Sequence, residues 1–222
     1  MADSLGEGDV SVRLVRDERG LALVGDGMEL RGDFSRMLPR LRQGRLQQEL
    51  LVKAARIKGA EAPTAVDCTA GLGEDSLLLA AAGFTVTLFE RDQTIAALLA
   101  DALESAAADP RLAEAVGRMT LVAGNSIAGL ATLPEPPDVV YLDPMFPART
   151  KSAAVKKKFQ LLHHLEQPCE EEEALVAAAL AAQSRKVVIK RPAKGALLAG
   201  MKPSYSVAGK AVRYDVLVPP RP

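Results

Sequence analysis

From Pro63 onward, short apolar runs alternate with longer Ala- and Leu-rich runs, and this rhythm restricts the fold more than any other feature of the chain. The order is TAVDCTA, EDSLLLAAA, FTVTLFE, TIAALLADALESAA, MTLVAG, SIAGLATL, DVVYLDP, EEEALVAAALAAQSR and KVVIKRP. Strands separated by helices pair in parallel through right-handed crossovers, so the expected architecture is a doubly wound, mostly parallel α/β sheet. The last segments, YSVAG and AVRYDVLVP, read as an antiparallel hairpin at the sheet edge. In such a sheet, ligands bind beyond the carboxyl ends of the strands.

Ahead of this core the pattern changes. Between Val10 and Phe34, VSVRLV, the turn DERG, LALV, the turn GDG and MELRG predict a small antiparallel β meander. From Gln43 to Lys58, Leu46, Leu50, Val52, Ala54 and Ile57 recur near helical spacing, with Gly59 as a stop. With 222 residues there is room for one sizeable core and an appendage. The division expected is a meander and basic helix over residues 1–60 and a core α/β domain over 61–222. Aromatics are only 4% of the chain, against 48% apolar residues in all, so the core must be built from Ala, Val and Leu.

Several functional classes are disfavoured. No apolar run is long enough to span a bilayer, and MADSLGEGDV lacks the basic and then apolar order of a signal peptide, so a cytoplasmic protein without membrane contact is expected. Cys68 and Cys169 are far apart without a CxxC neighbour, and the adjacent His163 and His164 point apart on a helix. No metal site is expected. A net charge of zero argues against binding nucleic acid by bulk charge, yet two basic runs stand out. One holds Arg36, Arg40, Arg42, Arg45, Lys53, Arg56 and Lys58; the other holds Arg149, Lys151, Lys156, Lys157 and Lys158. Either reads as a solvated helix face or as a phosphate-binding surface.

The loop DCTAGLGEDS follows the first core strand. Gly71 and Gly73 allow a sharp turn and close backbone approach to a ligand at the N-terminus of the next helix. A dinucleotide fingerprint would need a third glycine where Ser76 stands, which favours a nucleoside ligand lacking a pyrophosphate. Glu90 ends the second strand, where an acid accepts from two ribose hydroxyls. Asp67 and Asp75 are placed to receive a cationic amino-acid portion, although Asp75 equally suits a helix first turn. Asn125 and Ser126 are either polar tips at the third strand's end or caps of the following helix.

The stretch DPMF closes the fourth strand. Asp143 and the Pro144 carbonyl are acceptors on a stiffened backbone, and Phe146 offers a flat apolar face. Two acceptors and a stacking surface suit a planar base with an exocyclic amine, whose delocalised lone pair needs orientation more than a strong base. The competing reading is a strand-ending turn over a buried ring.

These residues resemble class I S-adenosylmethionine-dependent methyltransferases, and DPMF is similar to the D/N-P-P-F/Y motif of amino-group methylators, with Met145 in place of the second proline. More specifically, VDCTAGLGEDSLLLA, LFERD with AALLADAL, VVYLDPMFPARTKSAAVKKK and KVVIKRP resemble the ribosomal RNA small subunit methyltransferase J family. The resemblance implies a Rossmann-like methyltransferase sheet and methyl transfer from S-adenosyl-L-methionine to a guanine N2 of 16S rRNA or the small ribosomal subunit. It implies cofactor contacts from Glu74, Asp75, Glu90, Arg91, Asn125, Ser126 and Asp143, beside Asp67, Gly71 and Gly73 from the loop itself. Asp143, Pro144 and Phe146 would form the catalytic group, and Arg149, Lys151 and Lys156 to Lys158 would meet RNA. Two rivals are a non-catalytic RNA-binding or assembly factor on the same fold and an NAD-dependent oxidoreductase. The latter is disfavoured by Ser76 and by the lack of a hydride-transfer partner near Asp143.

Overall fold

The computed structural model describes residues 12–25, 27–144 and 171–220. Its main sheet has seven strands: β4 (Thr64–Asp67), β5 (Thr85–Glu90), β6 (Met119–Ala123), β7 (Val139–Leu142), β8 (Lys186–Pro192), β9 (Tyr205–Ala208) and β10 (Val212–Leu217). Their spatial order is β6-β5-β4-β7-β8-β10-β9. The first five in that order pair in parallel, while β10 pairs antiparallel to both β8 and β9. From β4 the chain winds outward through β5 to β6, then returns to β7 on the other side of β4. The strand order therefore reverses between β4 and β7, and their carboxyl ends flank a crevice.

The central strand β7 reads VVYL and is buried at every position, as expected of a strand covered on both faces. Its residues alternate between two apolar clusters. Val139 and Tyr141 join Leu77, Leu79, Val86, Leu88 and Leu99 on the face covered by α3 (Glu74–Ala81) and α4 (Gln93–Ala107). Val140 and Leu142 join Val187, Ile189, Leu175 and Ala179 on the opposite face, covered by α6 (Ser126–Ala131) and α7 (Glu172–Ala181). Strand periodicity thus sends successive side chains into the two apolar layers.

The meander forms as expected, with β1 (Arg13–Asp17), β2 (Gly20–Gly25) and β3 (Met28–Leu30) antiparallel in order. Its Leu23 and Leu30 pack on Ile95 and Leu98 of α4. Asp101 on α4 fastens it: one oxygen accepts from the Leu21 N–H at 2.8 Å, the other faces the Arg16 guanidinium at 2.7 Å. Gly20 permits the approach, because its φ is +97° and a Cβ there would lie 2.5 Å from the Asp101 carboxylate.

The continuous helix expected over 43–58 is broken. A 3₁₀ turn spans Leu46–Gln48, Glu49 is extended with ψ of 130°, and α2 covers only Leu50–Ala55, after α1 (Leu38–Leu41) earlier in the segment. The break brings Leu46 and Leu51, five residues apart, into the same core, and the Arg40 guanidinium takes both Glu49 oxygens at 2.9 and 2.7 Å. Lys186 at the start of β8 donates to the Ala54 and Arg56 carbonyls at 3.1 and 2.6 Å, occupying orphan acceptors at the helix end. A short α5 (Ala113–Val116), absent from the sequence expectation, precedes β6.

Asp101→Ala removes the buried acceptor of the Leu21 N–H, so it is expected to lower unfolding free energy by about 1–3 kcal/mol in urea titration. Arg16→Ala loses only an exposed pair, which is expected to contribute between about 0 and 1 kcal/mol. Equal losses in the two variants would contradict this assignment of the anchor.

Candidate active site

The loop between β4 and α3 is shaped by a buried carboxylate. Asp67 is 1% exposed, and its oxygens accept from the Thr69 N–H at 2.9 Å and the Ser76 hydroxyl at 2.5 Å. Ser76, where a dinucleotide fingerprint would have glycine, therefore ties the first turn of α3 back to the end of β4. Burial pushes the Asp67 carboxyl up to about 7, against the pull of the Ser76 and Thr69 hydrogen bonds. Asp67 serves this geometry as an anchor behind the loop, with both oxygens turned inward.

Gly71 and Gly73 both have positive φ, +54° and +75°. At Gly73 an added Cβ would meet Leu99 at 2.7 Å and Phe34 at 3.1 Å, whereas at Gly71 it would enter open space. The first glycine on the loop thus leaves room for a ligand, and the second allows tight packing beneath it. Glu90 at the end of β5 is buried and spans the loop's edge. Its oxygens accept from the Gly71 and Asp92 N–H groups at 2.8 and 2.9 Å. Burial raises the Glu90 carboxyl above its ordinary range, and these backbone donors oppose the rise.

At the end of β6, Asn125 caps α6, accepting from the Ile127 N–H at 2.8 Å, while Ser126 is buried beside Cys68. These placements fit the capping alternative for Asn125. Arg91 is exposed beside Glu90, and Glu74 is half-buried at the first position of α3.

The crevice between β4 and β7 holds a polar network that sequence reasoning only half found. The Asp143 N–H donates to the Thr69 hydroxyl at 2.7 Å, linking β7 to the glycine loop. The Lys190 ammonium, from β8, lies 2.7 Å from both the Asp75 and Asp143 carboxylates, and the Tyr141 hydroxyl donates to Asp75 at 2.6 Å. Asp75 and Asp143 are 17% and 36% exposed in their side chains. Lys190, Tyr141 and Thr69 were missed. The signal was present in the paired runs VVYLD and VVIK: with Leu142 opposite Ile189, Lys190 stands level with Asp143. Burial would lower the Lys190 ammonium, but the two carboxylates more than reverse this and keep it charged.

Pro144 is buried immediately after Asp143. Phe146, Arg149, Lys151, Lys156, Lys157 and Lys158 lie outside the described residues, as do His163, His164 and Cys169. Among the described residues, no cluster of three or more His, Cys, Asp or Glu could hold a metal ion, and no helix is long and apolar enough to cross a membrane.

The Asp67 anchor sets a pH dependence. Its native carboxyl binds a proton more tightly than in the unfolded chain, so stability is greatest below the unfolded value near 3.8 and is lost as pH rises towards about 7. Asp67→Asn is expected to remove this loss, gaining on wild type by roughly 1.4 kcal/mol for each pH step of about one across that window. Urea titrations at a series of pH values from mildly acidic to neutral check this; a difference that does not grow with pH would contradict it.

With this geometry in view, comparison with known proteins places the chain. A family model described as "Putative SAM-dependent methyltransferase" matches residues 8–219. A ribosomal RNA small subunit methyltransferase J of Thioalkalivibrio sulfidiphilus is 46% identical over 213 residues, covering 92% of this chain and 84% of its own. The protein of the same name from Neisseria meningitidis is 39% identical over 206 residues, covering 91% and 82%. The crystal structure of a SAM-dependent methyltransferase from Neisseria gonorrhoeae aligns with a TM-score of 0.78 at 32% identity, over 96% of this chain and 85% of that one. A glycine loop, an acid closing the second core strand and an Asp-Pro strand end, on a chain this similar to those relatives, make it a member of the ribosomal RNA small subunit methyltransferase J family of S-adenosylmethionine-dependent methyltransferases.

Proposed function

We propose that this enzyme transfers the methyl group of S-adenosylmethionine to the exocyclic N2 amine of a guanosine in 16S rRNA of the small ribosomal subunit. The observation that carries this reading is Asp143, held between Thr69 and Lys190 at the switch point of the sheet and followed by the buried Pro144. Names of relatives that specify small-subunit rRNA support the substrate class.

The residues present fit the cofactor. Gly71 leaves open space for it, and the Glu90 carboxylate, fixed at the loop's edge by backbone N–H donors, is placed to accept from ribose hydroxyls. Asp75 in the first turn of α3 offers a carboxylate for a cationic amino-acid portion. When bound, S-adenosylmethionine supplies an electrophilic methyl on a sulfonium.

The chain's own part is orientation and electrostatics. Asp143 and the Pro144 carbonyl accept hydrogen bonds from the guanine amine, turning its lone pair towards the crevice and stabilising positive charge that develops on nitrogen. Phe146 stacks on the base. Because a base in a helix cannot reach such a crevice, the target is an unstacked or flipped nucleotide. The basic residues Arg149, Lys151 and Lys156 to Lys158 follow this segment in sequence and meet phosphates, positioning the RNA without reading it. Such a substrate implies work in the cytoplasm.

Two variants separate the roles. At saturating cofactor, Asp143→Ala is expected to lower turnover about a hundredfold or more, because one preorganised acceptor is lost while the Pro144 carbonyl remains. Glu90→Ala is expected to weaken cofactor binding by about 2 to 3 kcal/mol in calorimetry, through loss of charge-assisted ribose contacts. A folded, cofactor-saturated Asp143→Ala enzyme working at the wild-type rate would sink the amine-holding role.

A further inference from the structure

Lys190 has no place among the cofactor and substrate groups that the family resemblance implies, yet its ammonium sits between two carboxylates in the crevice. We infer that Lys190 is a positioning residue for methyl transfer: its ammonium, shared between Asp75 and Asp143, holds the Asp143 carboxylate charged and aimed into the crevice. This rests on the reading of Asp143 as the amine acceptor.

The geometry argues for it in three steps. Two carboxylates that each lie 2.7 Å from one nitrogen are necessarily close neighbours, and without a cation between them one would take up a proton. A protonated Asp143 would offer an O–H donor where the amine requires an acceptor. Lys190 is also the group able to prevent this from a fixed place, because β8 runs between β7 and β10 in the interior of the sheet and its Nζ is held on both sides.

The charged and titratable surroundings of Asp143 come from every neighbouring element: Lys190 and Arg191 on β8, Asp75 on α3, Asp67 on β4, Tyr141 on its own strand and Tyr214 on β10. Arg40 reaches the same region through Asp75. Burial raises the Asp143 carboxyl, and the Lys190 charge opposes that rise. Removing the charge leaves burial and Asp75 acting together. A role confined to fastening α3 to the sheet would alter stability without moving the acidic limb of turnover.

The test uses Lys190→Met, Lys190→Arg and Asp75→Asn. Turnover at saturating S-adenosylmethionine and unmethylated small subunits is followed against pH, and the Asp143 side-chain carboxyl is titrated by carbon-13 NMR in the protein without substrate. In Lys190→Met, the NMR midpoint and the acidic limb of turnover are both expected to rise by roughly 1 to 3 in pH. Turnover below that limb then falls about tenfold for each step of one in pH and returns as the medium is made alkaline. Lys190→Arg, which keeps the charge, is expected to restore the limb. Asp75→Asn removes the competing anion and is expected to lower the Asp143 midpoint, an arm that stands even if Lys190→Met does not fold. An Asp143 midpoint unchanged in the folded variants would overturn the role of Lys190. A midpoint that moves while the turnover limb stays fixed would overturn the assignment of Asp143 as acceptor, and the proposal with it.

Discussion

One ammonium between two carboxylates connects the elements that wall the candidate site. Asp75 stands at the start of α3, Asp143 at the end of β7, and Lys190 near the end of β8, so the contact joins the glycine-loop helix to two strands of the sheet. Thr69 closes the connection from the other side, accepting from the Asp143 N–H while its own N–H donates to Asp67. The crevice at the switch point is thus walled by groups whose positions are mutually determined. Such preorganisation suits the proposed methylation of a weakly nucleophilic amine.

That arrangement is costly in stability. Asp67, Glu90 and Asp143 all have carboxyls raised first by burial, so the folded state holds charges that water would hold more easily. The apolar layers around them offset this, where β7 is buried throughout and Leu77, Leu78, Leu79, Val86 and Leu88 are fully enclosed. Asp67, Glu90 and Asp143 each stand at or just beyond the carboxyl end of a parallel strand, which is where doubly wound sheets carry ligands. The N-terminal segment contributes to the same core through Phe34, Met37, Leu46 and Leu51, and Phe34 underlies Gly73 of the loop.

Much of the fold was legible because its signals are local. The run KVVIKRP became β8, Lys186–Pro192, and FTVTLFE became β5 with Glu90 at its end, since β-branched periodicity and turn residues act over a few positions. The helix expected over 43–58 was not legible: the packing of Leu46 and Leu51 together with the Arg40–Glu49 pair overrode a periodic pattern. In the site, the glycine loop, Glu90 and Asp143 stood out as candidates in the sequence. Lys190 did not, because its partners are 47 and 115 residues away and only strand register brings them together. Asp67 was visible as an acid by the loop, but its inward orientation depends on Ser76 and Thr69, contacts that spacing alone does not reveal.

The reaction proposed for this enzyme is methylation of a guanine amine of small-subunit rRNA. Its most direct measurement supplies the purified protein with S-adenosylmethionine labelled in the methyl group and with small ribosomal subunits lacking the modification, then digests the RNA to nucleosides. The expected result is label in N2-methylguanosine at a single site of 16S rRNA. Label in a ring-methylated or ribose-methylated nucleoside, or none at all from a folded and cofactor-binding protein, would contradict it.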